Sequence, residues 1–272
     1  MPNIDILIMA IIRGAAEVLP IDFAAHSLLV SWLICWPARG QFLSAAADGG
    51  ILVALLLYFW RNVGQMLRAL VRILRGKRDP GGRLILQILL GSLPAFAIVF
   101  VLREVLAVAI AQPIYVAVLL VAFAVVLYVA DQAGLTVRRL EQMKTGQAVV
   151  VGLFQGLAAL PGVSRVGIAV TVGRVLGYER EDAARFALLL TIPWMAVSGL
   201  YRVYVGLAAR EAVDAEAALL TAAGAGVTAL IAAAFLMYWL RRGGFALFAV
   251  YRVLLGGALI YALMSMAPAA CA

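Results

Sequence analysis

Three ionisable residues, Glu17, Asp22 and His26, fall within ten positions of one another in a chain that is otherwise strongly apolar, and His26 is its only histidine. Far along the chain, residues 161–167 read PGVSRVG and place Ser164 and Arg165 just after a proline and a glycine. If the two stretches meet, a carboxylate pair, an imidazole, a hydroxyl and a guanidinium converge. That combination suits a phosphate. Arginine grips phosphate oxygens in bidentate fashion, and the N–H groups of a half-helix starting after Ser164 would add to the grip. A histidine can serve as nucleophile or as general acid and base. Carboxylates can hold a divalent ion that bridges phosphate oxygens. Glu17, His26 and Arg165 are therefore the candidate catalytic residues. Ser164, Gly162 and Arg13 are candidates for substrate binding, and Glu17 and Asp22 for a metal. A plainer reading has Glu17 and Asp22 neutralising Arg13 and Arg165 in a buried ion network, since buried charges must be paired whatever they do. Arg13 lies four residues before Glu17, on the same helix face, and can pair with it.

Those residues need elements that hold them at depth. Hydrophobic residues make up 65% of the sequence and charged ones 13%, about half the charged share of a soluble domain. The chain reads as an all-α polytopic membrane protein, with one membrane domain over residues 1–272. Its net charge of +8 is not a nucleic-acid signal, because the basic residues cluster in short loops between apolar runs. Cys35 and Cys271 have no metal or disulfide spacing and read as inert. The first 20 residues have no basic leader region, so the mature chain is expected to begin near Met1.

Two apolar segments are interrupted. Residues 4–19 and the run to Trp36 flank Pro20, and residues 147–177 are broken around Pro161. Neither half of the first reaches the roughly 20 residues that a span needs, so each segment reads as a re-entrant hairpin. A charge at membrane depth costs about 2.5–3.5 kcal/mol on insertion scales, which makes Arg165 a pointer to something anionic. The alternative is a simple kink with Arg165 snorkelling to the surface. Full spans are expected at residues 41–60, 84–102, 113–130, 184–207, 217–240 and 245–267. Residues 65–74 are apolar at helical spacing and fit a helix lying on the membrane surface. With six spans and two returning hairpins, the basic loops 61–83, 131–146, 177–183 and 241–244 share one side. That side is cytoplasmic, and both termini lie outside. The segment RGAAEVLP at residues 13–20 also aligns with QGLAALP at 155–161, with one residue of slippage. This weak internal similarity suggests an inverted-topology repeat, about 1–130 and 147–272, with a site near the midplane. Asp48 reads as a helix N-cap or a distant pocket member, and Arg252 as an internal charge or a snorkelling one.

The motif order resembles the bacitracin-resistance family of undecaprenyl-pyrophosphate phosphatases, over nearly the whole chain. Phe154-Gln155-Gly156 followed by Pro161-Gly162-x-Ser164-Arg165-x-Gly167 resembles the family's PGxSRSG signature. Glu17-Val18-Leu19-Pro20 through His26 resembles its E-x-x-P, hydroxyl-rich trio and histidine. The resemblance implies an inverted-repeat fold in the bacterial inner membrane. It implies metal-assisted (Mg or Ca) removal of the terminal phosphate from a C55 polyprenyl pyrophosphate on the outward side. It also implies Glu17 as metal-binding or acid/base carboxylate, His26 as nucleophile or proton shuttle, Arg165 as phosphate clamp, and Ser164 lining the pocket. A homodimer is the candidate assembly. The sequence departs from the pattern at Arg13, where the family usually has a second Glu. It departs also at Asp22, Phe23 and Ala24, which replace the hydroxyl trio, and at Val166, which replaces the signature's second Ser. Asp22 is expected to restore the missing negative charge. The departures leave open a lipid-phosphate carrier on the same fold, or a phosphatase for another lipid phosphate.

Overall fold

The computed structural model describes residues 2–34, 40–76, 81–106 and 112–265. Cys35, Cys271, Trp36, where the first interrupted segment is expected to end, and Lys77 and Arg78 lie outside them. Eleven α-helices follow one another among the described residues: α1 Pro2–Val18, α2 Phe23–Ile34, α3 Gln41–Tyr58, α4 Trp60–Leu74, α5 Gly81–Leu106, α6 Pro113–Ala133, α7 Thr145–Gln155, α8 Arg165–Val175, α9 Arg180–Ala208, α10 Ala215–Leu240 and α11 Ala246–Ser265. No strand occurs among them; Arg138 and Tyr178 form a single isolated bridge. Six of the helices, α3, α5, α6, α9, α10 and α11, are long and apolar enough to cross a membrane. They match the six expected spans to within a few residues. The protein is thus an all-helical, multi-pass membrane protein.

Local chemistry sets the helix ends. Pro113 opens α6, where a missing N–H costs nothing. The Asp214 carboxylate accepts from the Ala217 N–H at the start of α10. After α8, the Gly177 N–H bonds to the Arg174 carbonyl and the Tyr178 N–H to the Gly173 carbonyl. This six-residue closure requires a left-handed residue, and Gly177 supplies it at φ +86°. The helix expected over residues 65–74 starts earlier than the spacing suggests: α4 leaves α3 after a one-residue break at Phe59. Phe59 is buried, which anchors the corner, while Leu67, Val71 and Ile73 of α4 stay exposed beside Arg68 and Arg72.

The helices pack through small residues. α10 lies against both α1 and α3, α9 against α3, α7 against α5, and α11 against α6. A methyl group at Gly14 would collide with the Ala225 carbonyl, one at Gly50 with that of Ala222, and one at Gly152 with that of Gly91. Such contacts allow backbone to approach backbone, the main source of helix adhesion where lipid and side chain are equally apolar. At the C-terminal end of α6, the buried Asp131 binds Arg174 of α8 (3.0 Å), Arg180 of α9 (2.7 Å) and the Phe245 N–H (3.1 Å). Arg174 spends its remaining donors on the carbonyls of Asp131, Gly134 and Tyr178 and on Thr136. This cluster locks α6, α8 and α9 to the start of α11.

Candidate functional site at the two helix breaks

The first break follows from Pro20, which has no N–H to continue α1. The Ile21 N–H turns back to the Leu19 carbonyl at 2.8 Å, and Asp22 adopts φ +71°, a region few non-glycine residues enter. One Asp22 carboxylate oxygen accepts from the Ala25 N–H (3.0 Å) and so caps the start of α2. The same oxygen accepts from the Gly162 N–H (3.2 Å) of the second break. There the chain runs from α7 through a 3₁₀ turn at Gly156–Ala159 to Pro161, and Gly162 sits at φ +94°. A side chain at Gly162 would be strained and would strike the Val116 carbonyl of α6. Ser164 then caps α8, its hydroxyl accepting from the Gly167 N–H at 3.2 Å. Arg165 is the first residue of that helix.

Across this junction Arg165 Nη1 donates to Glu17 Oε2 at 2.9 Å, with both side chains 14% exposed. The guanidinium lies 4.2 Å over the Trp194 ring of α9, and Trp194 stacks on Phe96 of α5 at 5.4 Å. Arg165 is therefore held inside the protein rather than snorkelling. Pro94 and Pro193 lie inside α5 and α9, each within two residues of that ring pair. From α11, the buried Arg252 donates to the Gly162 carbonyl at 3.0 Å, which makes it an internal charge.

Two expected pairings are corrected. Arg13 does not pair with Glu17, one turn away. It donates instead to Asp48 of α3 and lies 5.1 Å from the centre of the Phe23 ring. Asp48 is no helix cap: it sits within α3, fully buried. Its other oxygen accepts from Ser198 (2.9 Å) and Arg202 (3.1 Å) of α9. Helix direction explains the choice. Glu17 in the last turn of α1 reaches α8, while Arg13 one turn earlier faces α3 and its buried acid. Asp22 pairs with neither Arg13 nor Arg165; backbone N–H groups hold its carboxylate. His26 makes no contact with Glu17 or Arg165. Its Nδ1–H donates to the Asp22 carbonyl (2.6 Å), and Nε2 accepts from the Tyr251 hydroxyl of α11 (2.7 Å).

The sequence alone singles out neither Trp194, Ser198, Arg202 nor Tyr251. Arg202 had a usable signal, a charge inside the apolar stretch 184–207. Trp194 and Tyr251 had none, because aromatic residues in a span are ordinary.

Guanidinium groups gather at the breaks: Arg165 pairs with Glu17, Arg13 and Arg202 both bind Asp48, and Arg252 holds the Gly162 carbonyl. Arg13 Nε, Gln155 Nε2 and Arg252 Nε are buried donors with no partner among the described residues. An unmet buried donor costs about 1–3 kcal/mol. Here all three lie on residues that form the breaks or touch them. Beside the Arg165–Trp194 stack, an apolar groove of about 250 Å³ runs between α5 and α9. Phe96, Val99 and Phe100 wall it on one side and Trp194, Val197 and Tyr201 on the other, with Ser198 and Arg202 adding polar atoms.

For a divalent cation the donor set is small. No group of three or more Asp, Glu, His or Cys residues converges among the described residues. Glu17 commits one oxygen to Arg165 and Asp22 one to backbone, and the second oxygen of each takes no part in these bonds. Two carboxylates suit a Mg²⁺ ion that keeps water ligands and takes the rest from phosphate, not a Ca²⁺ cage built by protein alone.

By class, then, this is a multi-pass helical membrane protein whose two interrupted helical segments meet around buried guanidinium groups. The family model described as "Bacitracin resistance protein BacA" matches residues 6–258, and the chain belongs to that family. It is 42% identical over 269 residues to Undecaprenyl-diphosphatase 1 of Rhodospirillum rubrum, covering 94% of each chain. It is 38% identical over 261 residues to Undecaprenyl-diphosphatase 1 of Paramagnetospirillum magneticum, covering 96% of this chain and 97% of the relative. The Undecaprenyl-diphosphatase of Desulforudis audaxviator is 35% identical over 250 residues, with 92% and 94% covered.

Proposed function

We propose that this protein hydrolyses undecaprenyl diphosphate to the monophosphate, with the diphosphate at the two breaks and the prenyl chain leaving through the α5–α9 groove. The observation that carries the reading is the Arg165–Glu17 contact, which joins the two breaks at one site. The relatives, named undecaprenyl-diphosphatases, agree with it.

In this mechanism the terminal phosphate takes Arg165 from Glu17 and receives both guanidinium edges. The first N–H groups of α8, which a helix start leaves without intrahelical acceptors, point at the same charge. His26 contributes the lone pair of Nε2, as nucleophile or as base toward water. Glu17, freed from Arg165, moves protons at its carboxylate. Glu17 and Asp22 would hold the cation that arrives with the diphosphate, and that ion when bound would offset charge on the phosphate oxygens. Trp194 and the groove shield the Arg165 guanidinium from bulk solvent, which strengthens its attraction for the phosphate.

The two broken segments belong to an inverted repeat in this reading. Several contacts support it. α1 packs on α10 as α7 packs on α5, while α3 meets α9 and α6 meets α11. Gly14 and Gly156, partners in the sequence alignment, each bring a broken segment against such a neighbouring helix. The halves are 17 and 12 residues in the first segment and 11 and 11 in the second, too short to span singly. Both segments return to the side they entered, and the site opens outward. Orientation is tested with Glu211→Cys and Arg139→Cys in a background lacking Cys35 and Cys271. An impermeant maleimide on intact cells should label position 211 and spare 139; the reverse pattern would invert the topology.

The activity test is phosphate release from undecaprenyl diphosphate in detergent, with and without chelator. Arg165→Ala should lose about 10²–10³-fold in turnover, the usual worth of a charge-stabilising donor. Retained turnover in that variant would remove the central claim. Binding of the lipid without turnover in the wild type would mark a carrier instead. Turnover indifferent to chelator would remove the cation from the proposal.

A further inference from the structure

The hydrogen bonds of His26 define which ring nitrogen can act. A carbonyl oxygen only accepts, so the 2.6 Å contact to the Asp22 carbonyl places the proton on Nδ1. The neutral ring then carries its lone pair on Nε2, and the Tyr251 hydroxyl donates to it at 2.7 Å. The two rings also stack, with centroids 5.6 Å apart and planes 15° apart. Tyr251 is not placed by chance. Its neighbour Arg252 is buried and holds the Gly162 carbonyl, and α11 is packed along α6. One dipeptide of the last helix therefore holds the imidazole of the first break and the turn of the second.

We infer that Tyr251 is a positioning residue for the reaction: with the Asp22 carbonyl setting the tautomer, its hydroxyl holds the ring by donating to the Nε2 lone pair, and yields that nitrogen when substrate arrives. The inference rests on the proposed role of His26. Nucleophile and base both use the same lone pair, so it holds for either. With Tyr251 removed, Nε2 has no donor and the ring loses one of the two bonds that orient it.

A single histidine makes the test direct. Protein labelled with ¹⁵N-histidine, in detergent at a pH where the ring is neutral, gives one pair of ring-nitrogen signals that need no assignment between residues. The wild type should show a protonated Nδ1 and an unprotonated, hydrogen-bonded Nε2. A proton on Nε2 in the wild type would overturn the inference without any variant. Tyr251→Phe keeps the stacked ring and removes only the hydroxyl. It should shift the Nε2 signal and lower kcat about fivefold, the worth of one hydrogen bond, with KM within about twofold of wild type. Unchanged signals and kcat in Tyr251→Phe, beside a crippled His26→Asn, would refute the role of Tyr251 and leave that of His26 standing. A fully active His26→Asn would refute the role of His26 itself, and the assignment of Tyr251 to catalysis with it.

Discussion

Glu17→Gln separates two tasks that the proposed mechanism assigns to the carboxylate. In the resting site Glu17 Oε2 accepts the Arg165 guanidinium at 2.9 Å, both groups largely buried. An incoming phosphate must win this guanidinium from the carboxylate. Hydrogen bonds to a charged partner contribute about 1.5–3 kcal/mol, and neutral ones about 0.5–1.5 kcal/mol. An amide at position 17 therefore releases Arg165 more easily by about 1–1.5 kcal/mol, or roughly 5–10-fold in affinity for the phosphate. The same amide cannot carry a proton, and general acid–base catalysis is typically worth about 10²–10⁴-fold. With chelator present, so that no cation contact at position 17 is at stake, the variant should bind a methylene-bridged, non-hydrolysable diphosphate lipid about 5–10-fold more tightly than wild type. Its kcat should fall at least about 100-fold in the phosphate-release assay. Calorimetry in detergent reads the first quantity and initial rates at saturating lipid the second. A kcat within about threefold of wild type would reduce Glu17 to a counter-ion for Arg165. Weaker binding of the analogue would show that carboxylate and phosphate do not compete for the guanidinium.

Trp194→Leu removes the ring under Arg165; a cation–π contact is worth about 0.5–2 kcal/mol, so KM should rise several-fold while kcat holds, measured in the same assay. Arg252→Met strips the Gly162 carbonyl of its donor and removes one cation from the electrostatic range of Asp22. The thermal midpoint in detergent should fall clearly, and Asp22→Asn should recover part of the loss if the two groups are coupled. Gly152→Val forces a side chain into the Gly91 carbonyl of α5. Overpacking typically costs about 1–3 kcal/mol, and an unaltered thermal midpoint would contradict the close α5–α7 approach.

The spans were readable because apolar runs of about 20 residues have few alternatives in a chain this hydrophobic. Both breaks were readable from Pro20 and Pro161. Arg165 as a buried cation followed from its depth, and the start of a half-helix after Ser164 from the break at Pro161. What could not be read was which charge meets which. Arg13 and Glu17 share a helix face, and spacing alone pairs them. Tertiary packing overrides that, because α3 brings Asp48 to Arg13 and α8 brings Arg165 to Glu17. Asp22 illustrates the same limit. Its negative charge was legible, but its service as a bridge between the breaks depends on a left-handed backbone that only the fold discloses. The aromatic supports were silent for a different reason. A tryptophan or tyrosine in a membrane helix satisfies many environments, and nothing local marks the one that lies under a guanidinium or beside an imidazole.

The place of α11 bears on how the molecule comes into being. Glu17, Asp22 and His26 are synthesised first, yet the groups that seat them arrive late: Arg165 midway, Trp194 after it, and Tyr251 and Arg252 close to the end of the chain. During biosynthesis the earliest reactive residues wait in the bilayer with their final partners still unmade. The arrangement is complete only once the last helix is in place, and a nascent chain stalled before residue 251 holds every proposed reactive side chain without the groups that seat His26 and the Gly162 turn.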